Sequence, residues 1–433
     1  MFDNGVLAGR VGLMLDIDVI RKTPELVRTM LRNRNYPEDT LNEFLKVDGE
    51  WRTLVDESNQ LKRTRNQVAE QIPKLKEAEK KAKIQEMKLV ANRISEIDAR
   101  VAELESSRGE IVLNIPNIPH DSVPVGSGYD HNKLMRVGGE PRKFDFAPRD
   151  HIQIGEDLDI IDFKRGTKVA GSGFYVLKGD GARLERAMIN FMLDLHGHQG
   201  YTEVFPPVVV NRAAVIGTGQ YPKMKDDMYW CERDDLWLNP TAEVPVTNML
   251  QDEILEIGQL PIYYTAYLPS FRREAGRHAE MRGIIRVHEF NKVELVKFVL
   301  PETSFGELEA LLDDAEDVMR LLGLPYRILL LCTADTGFAS AKTYDIEAHA
   351  PGSNLWLECS SCSSFTDFQA RRARVKFRRE PHLKSEFVHT LNGSGVALPR
   401  TMVAVLENDQ NSDGTITIPQ ILRPYMQGQE LIE

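Results

Sequence analysis

Cysteine is scarce: Cys231, Cys332, Cys359 and Cys362 are the only four in 433 residues. So few thiols exclude a disulfide framework in a chain of this length and predict reduced side chains. No apolar run reaches the roughly 20 residues that a membrane-spanning helix needs. The N-terminus also lacks the basic stretch and apolar core that mark a secretory leader. These absences predict a cytoplasmic location. Two nucleotide signatures are missing as well, the glycine-rich Walker loop and the GxGxxG fingerprint. Nucleotide chemistry in this chain would have to use other residues.

Glycine is absent between Glu50 and Arg108, where Pro73 is the single proline. In the same region apolar residues recur at heptad spacing. Phe44, Val47, Trp51, Leu54, Leu61 and Val68 form one string, with Ser58 and Arg65 filling its gaps. Met87, Val90, Ile94, Ile97, Val101 and Leu104 form the second. Two such seams predict an antiparallel coiled-coil hairpin over about residues 40–108, turning through a polar segment at 73–83. Helices of about 25 to 35 residues, at about 1.5 Å rise per residue, would span on the order of 40 to 50 Å.

The chain carries a formal charge of −11, which by itself disfavours a polyanionic partner. Its positive charge is concentrated, however: residues 60–90 hold nine lysines and arginines against four glutamates, a local charge of +5. Lys62, Arg63, Arg65, Lys74, Lys76, Lys80 and Lys81 all lie near the expected turn. A solvated coiled-coil face accounts for a charge run in general. A basic hairpin on an acidic body also suits a phosphate backbone, read by shape more than by base sequence.

Outside the hairpin the punctuation is clear. Residues 14–34 read as a strand or turn followed by a short helix. Met14 suits a true start, which would make 1–13 an extension outside the fold. After the hairpin, NIPNIPHDSVPVGSG has no apolar period and reads as a linker. The expected organisation is an N-terminal domain over 14–113, a linker over 114–130 and a larger domain over 131–433.

In the larger domain, polar residues recur in groups. Thr241 and Glu243 in LNPTAEVPVTN would share a strand face, where a hydroxyl and a carboxylate can hold a substrate ammonium. The segment SFRREAGRHAEMRGIIRVHEFNKVELVKF reads as strand, long loop, strand. Arg272 and Glu274 share one face of the first strand, and Arg286, His288, Phe290, Lys292 and Glu294 share one face of the second. Arginine forks grip phosphate, and a ring can stack on a base. His288 alone is more often a structural histidine than a catalyst. In LWLECSSCSSFTDFQARR, Glu358 with Ser360 and Ser361 offers oxygen ligands for a magnesium ion shared with phosphate. Cys359 and Cys362 invite a zinc reading, but no second ligand pair accompanies them, so no zinc is expected. Gly393, Ser394 and Gly395 precede a helix with Pro399 in its first turn and Arg400 immediately after.

Taken in order, these segments resemble the three signature motifs of class II aminoacyl-tRNA synthetases, and their wording resembles the seryl-tRNA synthetases. The likeness runs over nearly the whole chain from Met14. GARLERAMINFMLDLH with GYTEVFPP is similar to motif 1, which builds the family's dimer interface. PTAEVP, FRREAG, IRVHEFNKVE, SSCS followed by DFQARR, and HTLNGSG carry the rest. The resemblance implies an α+β fold: an antiparallel sheet flanked by helices, preceded by a tRNA-binding coiled-coil arm.

By that resemblance Thr241, Ala242, Glu243, Arg272, Glu294 and Ser394 bind serine. Arg272, Arg273, Glu274, Val287, Phe290, Glu358, Cys359, Ser360, Ser361 and Arg400 bind ATP. Arg272 and Arg400 act in catalysis, and Phe290 stacks on adenine opposite Arg400. Glu358 and Ser361 hold Mg2+ with ATP. The seven basic residues of the arm bind tRNA. The implied activity is ligation of serine to the 3′ end of tRNA(Ser), with tRNA(Sec) as a second candidate, by a homodimer.

Two departures from the family pattern stand out. The motif 2 loop, residues 277–283, is shorter than usual and lacks its aspartate, which bears on the transfer to tRNA. Pro399 replaces a small residue before Arg400. Two rival readings share the fold: a paralogue that delivers seryl-adenylate elsewhere, and an RNA-binding protein without catalysis. The basic arm argues against the first. Arg272, Glu274, Glu294, Glu358 and Arg400 together argue against the second.

Overall fold

The computed structural model describes residues 15–275 and 282–433. Residues 1–13, Met14 and most of the shortened motif 2 loop therefore lie outside the described residues. The chain divides into two compact units at Pro116 and Asn117.

In the first unit, short helices α1 (Ile17–Lys22) and α2 (Pro24–Asn33) precede two long ones, α3 (Asp39–Gln71) and α4 (Glu77–Val112). Of the strand or turn expected before a short helix, the chain forms a bend at Leu15, and two helices rather than one follow it. Asp16 caps α1 through its carboxylate, and Pro24 starts α2 where a missing N–H costs nothing. The hairpin forms along the expected seams: Phe44, Ser58, Met87, Ile94, Ile97 and Leu104 are buried. Ser58 Oγ, in a seam position, donates to Asp98 at 2.7 Å, which satisfies a hydroxyl that packing would otherwise strand. The turn is tighter than 73–83 implies. Only residues 72–76 lie between the helices, with Pro73 in a single 3-10 turn, so Lys80 and Lys81 sit on α4. Near the other end of the hairpin, buried Asp48 takes Arg21 at 2.6 Å and Arg108 at 3.1 Å, and Arg108 lies over the Trp51 ring.

The second unit is built on an eight-stranded sheet: β1 (Lys133–Gly138), β2 (Thr202–Glu203), β3 (Ile262–Phe271), β4 (Glu289–Val299), β5 (Tyr326–Leu330), β6 (Lys342–Ala350), β7 (Leu355–Thr366) and β8 (His389–Ala397). Its order is β1-β5-β6-β7-β8-β4-β3-β2, antiparallel except where β2 joins β3. Five helices matter for the site: α5 (His151–Asp157), α6 (Gly179–His198), α7 (Glu243–Asn248), α8 (Ser304–Leu322) and α9 (Leu398–Asn408). Residues 117–126, read as linker, are tied into this unit. Asn117 donates to the carbonyls of Ala339 and Phe365, and the His120 N–H to that of Ala341.

Strand alternation divides the sheet into two faces. On β4, Val293, Leu295 and Val299 join Leu184 and Met188 of α6, Leu308 and Leu311 of α8, and Met402 and Val405 of α9 in the main core. The alternate residues Val296 and Phe298 enter a second core with Ala242 and Val246. Phe290, Lys292 and Glu294 continue that second face toward one end of the strand, where polar groups replace the apolar ones.

Candidate active site

Three local devices bring the predicted residues together. The first is a β-bulge in β7. Ile346 pairs with Ser360, but Glu347 pairs with Glu358, so Cys359 is the extra residue. Residues 358 and 361 would face opposite sides of a regular strand; the bulge turns both toward one cavity. The second is a bulge in β8 at Gly395, which sets Ser394 opposite Glu294. The third is the end of β3. Arg272, Arg273 and Glu274 lie beyond the strand, and Glu274 takes a left-handed φ of 49°. A non-glycine residue there costs about 1 kcal/mol, offset by a 2.6 Å ion pair with Arg286.

Two adjoining cavities result. A smaller one of about 170 Å³ is lined by Arg272, Glu274, Val287, Phe290, Glu358, Cys359, Ser394 and Arg400, among others. A larger one of about 490 Å³ includes Thr241, Glu243, Glu358, Ser361 and Ser394. Arg272, Lys292, Glu358 and Ser394 line both, so the cavities meet along these side chains.

The smaller cavity is lined by cations. The Arg272 guanidinium lies 5.1 Å from the Phe290 ring centroid, and its Nε donates to the Pro240 carbonyl at 3.2 Å. Burial lowers the Arg272 pKa, while Glu274 and Glu358 pull it up. Arg400, in the first turn of α9, donates to the carbonyls of Glu358 at 2.8 Å and Ile285 at 3.2 Å. Its guanidinium also reaches the Glu358 carboxylate at 3.3 Å. Both arginines are held here by backbone acceptors, and the ring lies beside Arg272.

The larger cavity is acidic. Thr241 and Glu243 do not lie on a strand. They lie at the start of α7, and the hydroxyl of Thr241 accepts the Glu243 N–H at 3.3 Å. Pro240 precedes the helix and Pro245 falls in its first turn, where it is tolerated. Thr241 Oγ1 donates to Glu294 at 2.8 Å, and the Lys292 ammonium meets the same carboxylate at 2.5 Å. The amide of Asn392 donates to its other oxygen. Glu243 accepts from Gln369 at 2.5 Å and from Gln220 at 3.4 Å. Burial and the nearby Glu294 charge push the Glu243 pKa up to about 7, against the pull of Gln369.

Not every predicted residue faces a cavity. Ala242 is fully buried and packs in the second core. Ser360 is also buried, and its hydroxyl donates to the Ser394 carbonyl at 2.6 Å. It supports β8 and lines neither cavity, unlike Ser361. Arg273 lines a different cleft with Tyr229, Trp230 and His288. Arg286 and His288 precede β4, and the face shared from Phe290 to Glu294 begins only at that strand. The Cys359 and Cys362 thiols are buried, which pushes their pKa values up to about 11 and about 12. On the hairpin, Lys62 pairs with Asp98 at 2.9 Å, while Arg63, Lys74, Lys76 and Lys81 are exposed.

Several contributors carry no role on sequence grounds. Asn392 stands two residues before Ser394 on β8, so strand alternation could have found it. Gln369 lies on a short helix after β7, and its contact with Glu243 leaves no trace in spacing. Asp345 on β6 sits opposite Ser361 and lines the larger cavity.

Residues 14–119 match the model of the seryl-tRNA synthetase N-terminal domain. Residues 229–409 match the tRNA synthetase class II core domain (G, H, P, S and T). The chain is 53% identical over 418 residues to a serine–tRNA ligase of Methanosarcina barkeri, covering 96% of this chain and 98% of that one. It is 54% identical to the counterpart from Carboxydothermus hydrogenoformans over 95% of this chain and 98% of the other. Among solved structures, seryl-tRNA synthetase from Pyrococcus horikoshii, complexed with ATP, superposes with a TM-score of 0.93. That pair is 37% identical, covering 97% of this chain and 99% of the other. Identity at this level over nearly the full length carries the activity as well as the fold: the chain belongs to the seryl-tRNA synthetases, class II enzymes that ligate serine to tRNA.

Proposed function

We propose that the acidic cavity binds serine and the arginine-lined cavity binds ATP, so that the two substrates meet at Arg272. One observation carries this reading: buried carboxylates on one side and two anchored arginines on the other share the lining residues Arg272, Glu358 and Ser394. Glu243 and Glu294 hold the serine ammonium, with Thr241 fixing Glu294. Arg272 steers the serine carboxylate and, with Arg400, balances charge on the α-phosphate. Phe290 offers a stacking face for adenine.

The carboxylate of serine is ionised at neutral pH and needs no general base. Its oxygen attacks the α-phosphorus in line, the bond to the bridging oxygen breaks, and pyrophosphate leaves. A ribose 3′ hydroxyl of tRNA then attacks the seryl carbonyl and displaces AMP. Rate arises from alignment and from fixed positive charge where negative charge develops. Alanine would leave polar partners of the serine hydroxyl unpaired, and threonine would have to fit an extra methyl.

The donor set around Glu358 fits a hard cation carried with phosphate. Glu358 and Ser361 share the larger cavity with Asp345, whose Oδ1 has no hydrogen-bond partner among the described residues. Mg2+ bound there would be completed by nucleotide oxygens. Such an ion would neutralise phosphate charge.

Partners follow from the same chemistry. Lys62, Arg63, Arg65, Lys74, Lys76, Lys80 and Lys81 grip the tRNA backbone, with tRNA(Ser) as substrate and tRNA(Sec) as a second one to be tested. A homodimer would cover Phe205, which is 77% exposed just after the motif 1 helix. No helix among the described residues is long and apolar enough to cross a membrane. Four free thiols support action in the cytoplasm.

Serine-dependent ATP–pyrophosphate exchange, run beside charging of purified tRNA(Ser) and tRNA(Sec), tests this reading. Exchange with serine alone among the amino acids is the expected result, and exchange driven equally by alanine would overturn the pocket assignment.

A further inference from the structure

The end of β3 serves two sites. Arg272 and Glu274 line the smaller reaction cavity, whereas Arg273 between them lines a separate cleft of about 640 Å³. That cleft is aromatic and basic. Its lining includes Lys225, Tyr229, Trp230, Trp237, Arg273 and His288. None of its aromatic residues lines the smaller cavity.

The geometry of the tryptophans is specific. Trp230 and Trp237 stack with centroids 5.6 Å apart and planes 21° from parallel. They lie on neighbouring strands of a small three-stranded sheet, where Trp230 pairs with Trp237 directly. Trp237 is buried and Trp230 is 36% exposed, so the pair presents one face outward. The outer ring is also anchored. Trp230 Nε1 donates to Asp235 at 3.1 Å, and Arg212 holds Asp235 at 2.7 Å. An exposed indole fixed at its nitrogen is a rigid platform for another flat ring. Trp237 adds a donor: its Nε1–H is buried without a hydrogen-bond partner among the described residues. The backbone ties this cleft to the reaction cavity, because the Arg273 N–H donates to the Asp227 carbonyl at 2.7 Å and the Ala275 N–H to its carboxylate at 2.9 Å.

We propose that this cleft takes an unpaired nucleobase of the tRNA acceptor end, stacked on Trp230, with Arg273 and Lys225 beside the strand's phosphates. The inference rests on the reading that the 3′ ribose reacts in the adjoining cavity. The cleft begins one residue along the backbone from Arg272, which lines that cavity. Stacking accepts any base, so the cleft positions the strand without reading its sequence.

The test uses the full chain and two RNA minihelices, one with a single-stranded four-nucleotide 3′ tail and one blunt-ended. The tailed RNA quenches tryptophan fluorescence and the blunt one does not. Trp230→Ala abolishes the tail-dependent quench and raises the KM for tRNA in charging about tenfold, while pyrophosphate exchange stays at the unsubstituted level. Trp230→Phe keeps a stacking face and restores the KM. Equal quenching by both RNAs, an unchanged KM in Trp230→Ala, or exchange falling in step with charging would each overturn the proposal. Absence of exchange in the unsubstituted protein would instead remove the reading of the reaction cavity, and the minihelix comparison would still decide the cleft.

Discussion

The hydroxyl of Thr241 lies 2.8 Å from a carboxylate oxygen of Glu294, 53 residues later in the chain. One belongs to the turn before α7 and the other to the centre of β4, so the folded sheet, not local spacing, makes the contact. Glu294 is fully buried, and three neighbours hold it: Thr241, Lys292 and Asn392. The carboxylate is thus held in one position, although it lines neither cavity itself; Thr241, Lys292 and Asn392, which hold it, line the larger one.

Thr241→Val keeps the shape of the side chain and removes its donor. Exchange assays are expected to show kcat/KM for serine falling roughly 10-fold to 100-fold, in line with loss of one hydrogen bond to a charged group, about 1.5–3 kcal/mol. The KM for ATP should stay constant, because Thr241 lines only the acidic cavity. Equal losses for both substrates would show that the substitution had disturbed the whole site.

Glu243 makes serine binding depend on pH. Burial and the charge of Glu294 raise its pKa from 4.5 to about 7. Below that value the side chain is neutral in the free protein and cannot attract the serine ammonium. The KM for serine should therefore rise as pH falls below 7, by at most about tenfold per unit. Stability runs the other way. With the folded pKa above the unfolded one, the contribution of Glu243 is fully present below pH 4.5 and is lost as pH rises through 7. Glu243→Gln should flatten both dependences while weakening serine binding, as thermal melts and exchange kinetics on either side of neutrality would show.

Charge placement on the hairpin should govern tRNA affinity without touching the first reaction. Lys80→Glu with Lys81→Glu alters two residues of α4 that lie far along the sequence from the reaction cavity. Charging of tRNA should weaken, and its salt dependence should flatten by about one logarithmic unit of slope for each phosphate that is no longer neutralised. Exchange should not change. A charging KM equal to that of the unsubstituted protein would leave these lysines as a solvated helix face.

Heptad spacing made the hairpin legible, because a seam buried against one partner must repeat every 3.5 residues. It misplaced the turn, since Lys80 to Lys83 look like loop residues but complete helical turns of α4. The site was legible where side chains alternate on a strand, as for Phe290, Lys292 and Glu294. It was obscured where alternation breaks. The bulge at Cys359 turns Ser361, not Ser360, toward the cavity, and the left-handed Glu274 carries the chain off β3. Neither a bulge nor a bend has a period, so neither leaves a pattern to read. The Thr241 segment misled for another reason: residues two apart share a face on a strand, but here the chain turns into a helix, with Pro245 in its first turn.

A single glycine sits directly before Ile284 and Ile285, which line the smaller cavity. Gly283 has φ +59°, and a Cβ there would stand 2.0 Å from His151 Nε2. The histidine cannot retreat. It is buried, its Nδ1–H donates to Glu407 of α9 at 3.0 Å, and its Nε2 accepts the Ile284 N–H at 3.3 Å. That pairing fixes one tautomer and ties α5, α9 and the chain before β4 at one point. Ile284 and Ile285 line the smaller cavity, and the Ile285 carbonyl holds Arg400. Gly283→Ala must therefore move the backbone rather than the ring. A loss of about 1–3 kcal/mol in stability is expected from the left-handed backbone and the clash. Because the displaced segment anchors Arg400 but not Glu243 or Glu294, the KM for ATP should rise several-fold more than the KM for serine. A His151→Ala, Gly283→Ala double substitution removes the clash and should recover part of the ATP affinity, which separates steric displacement from backbone strain alone.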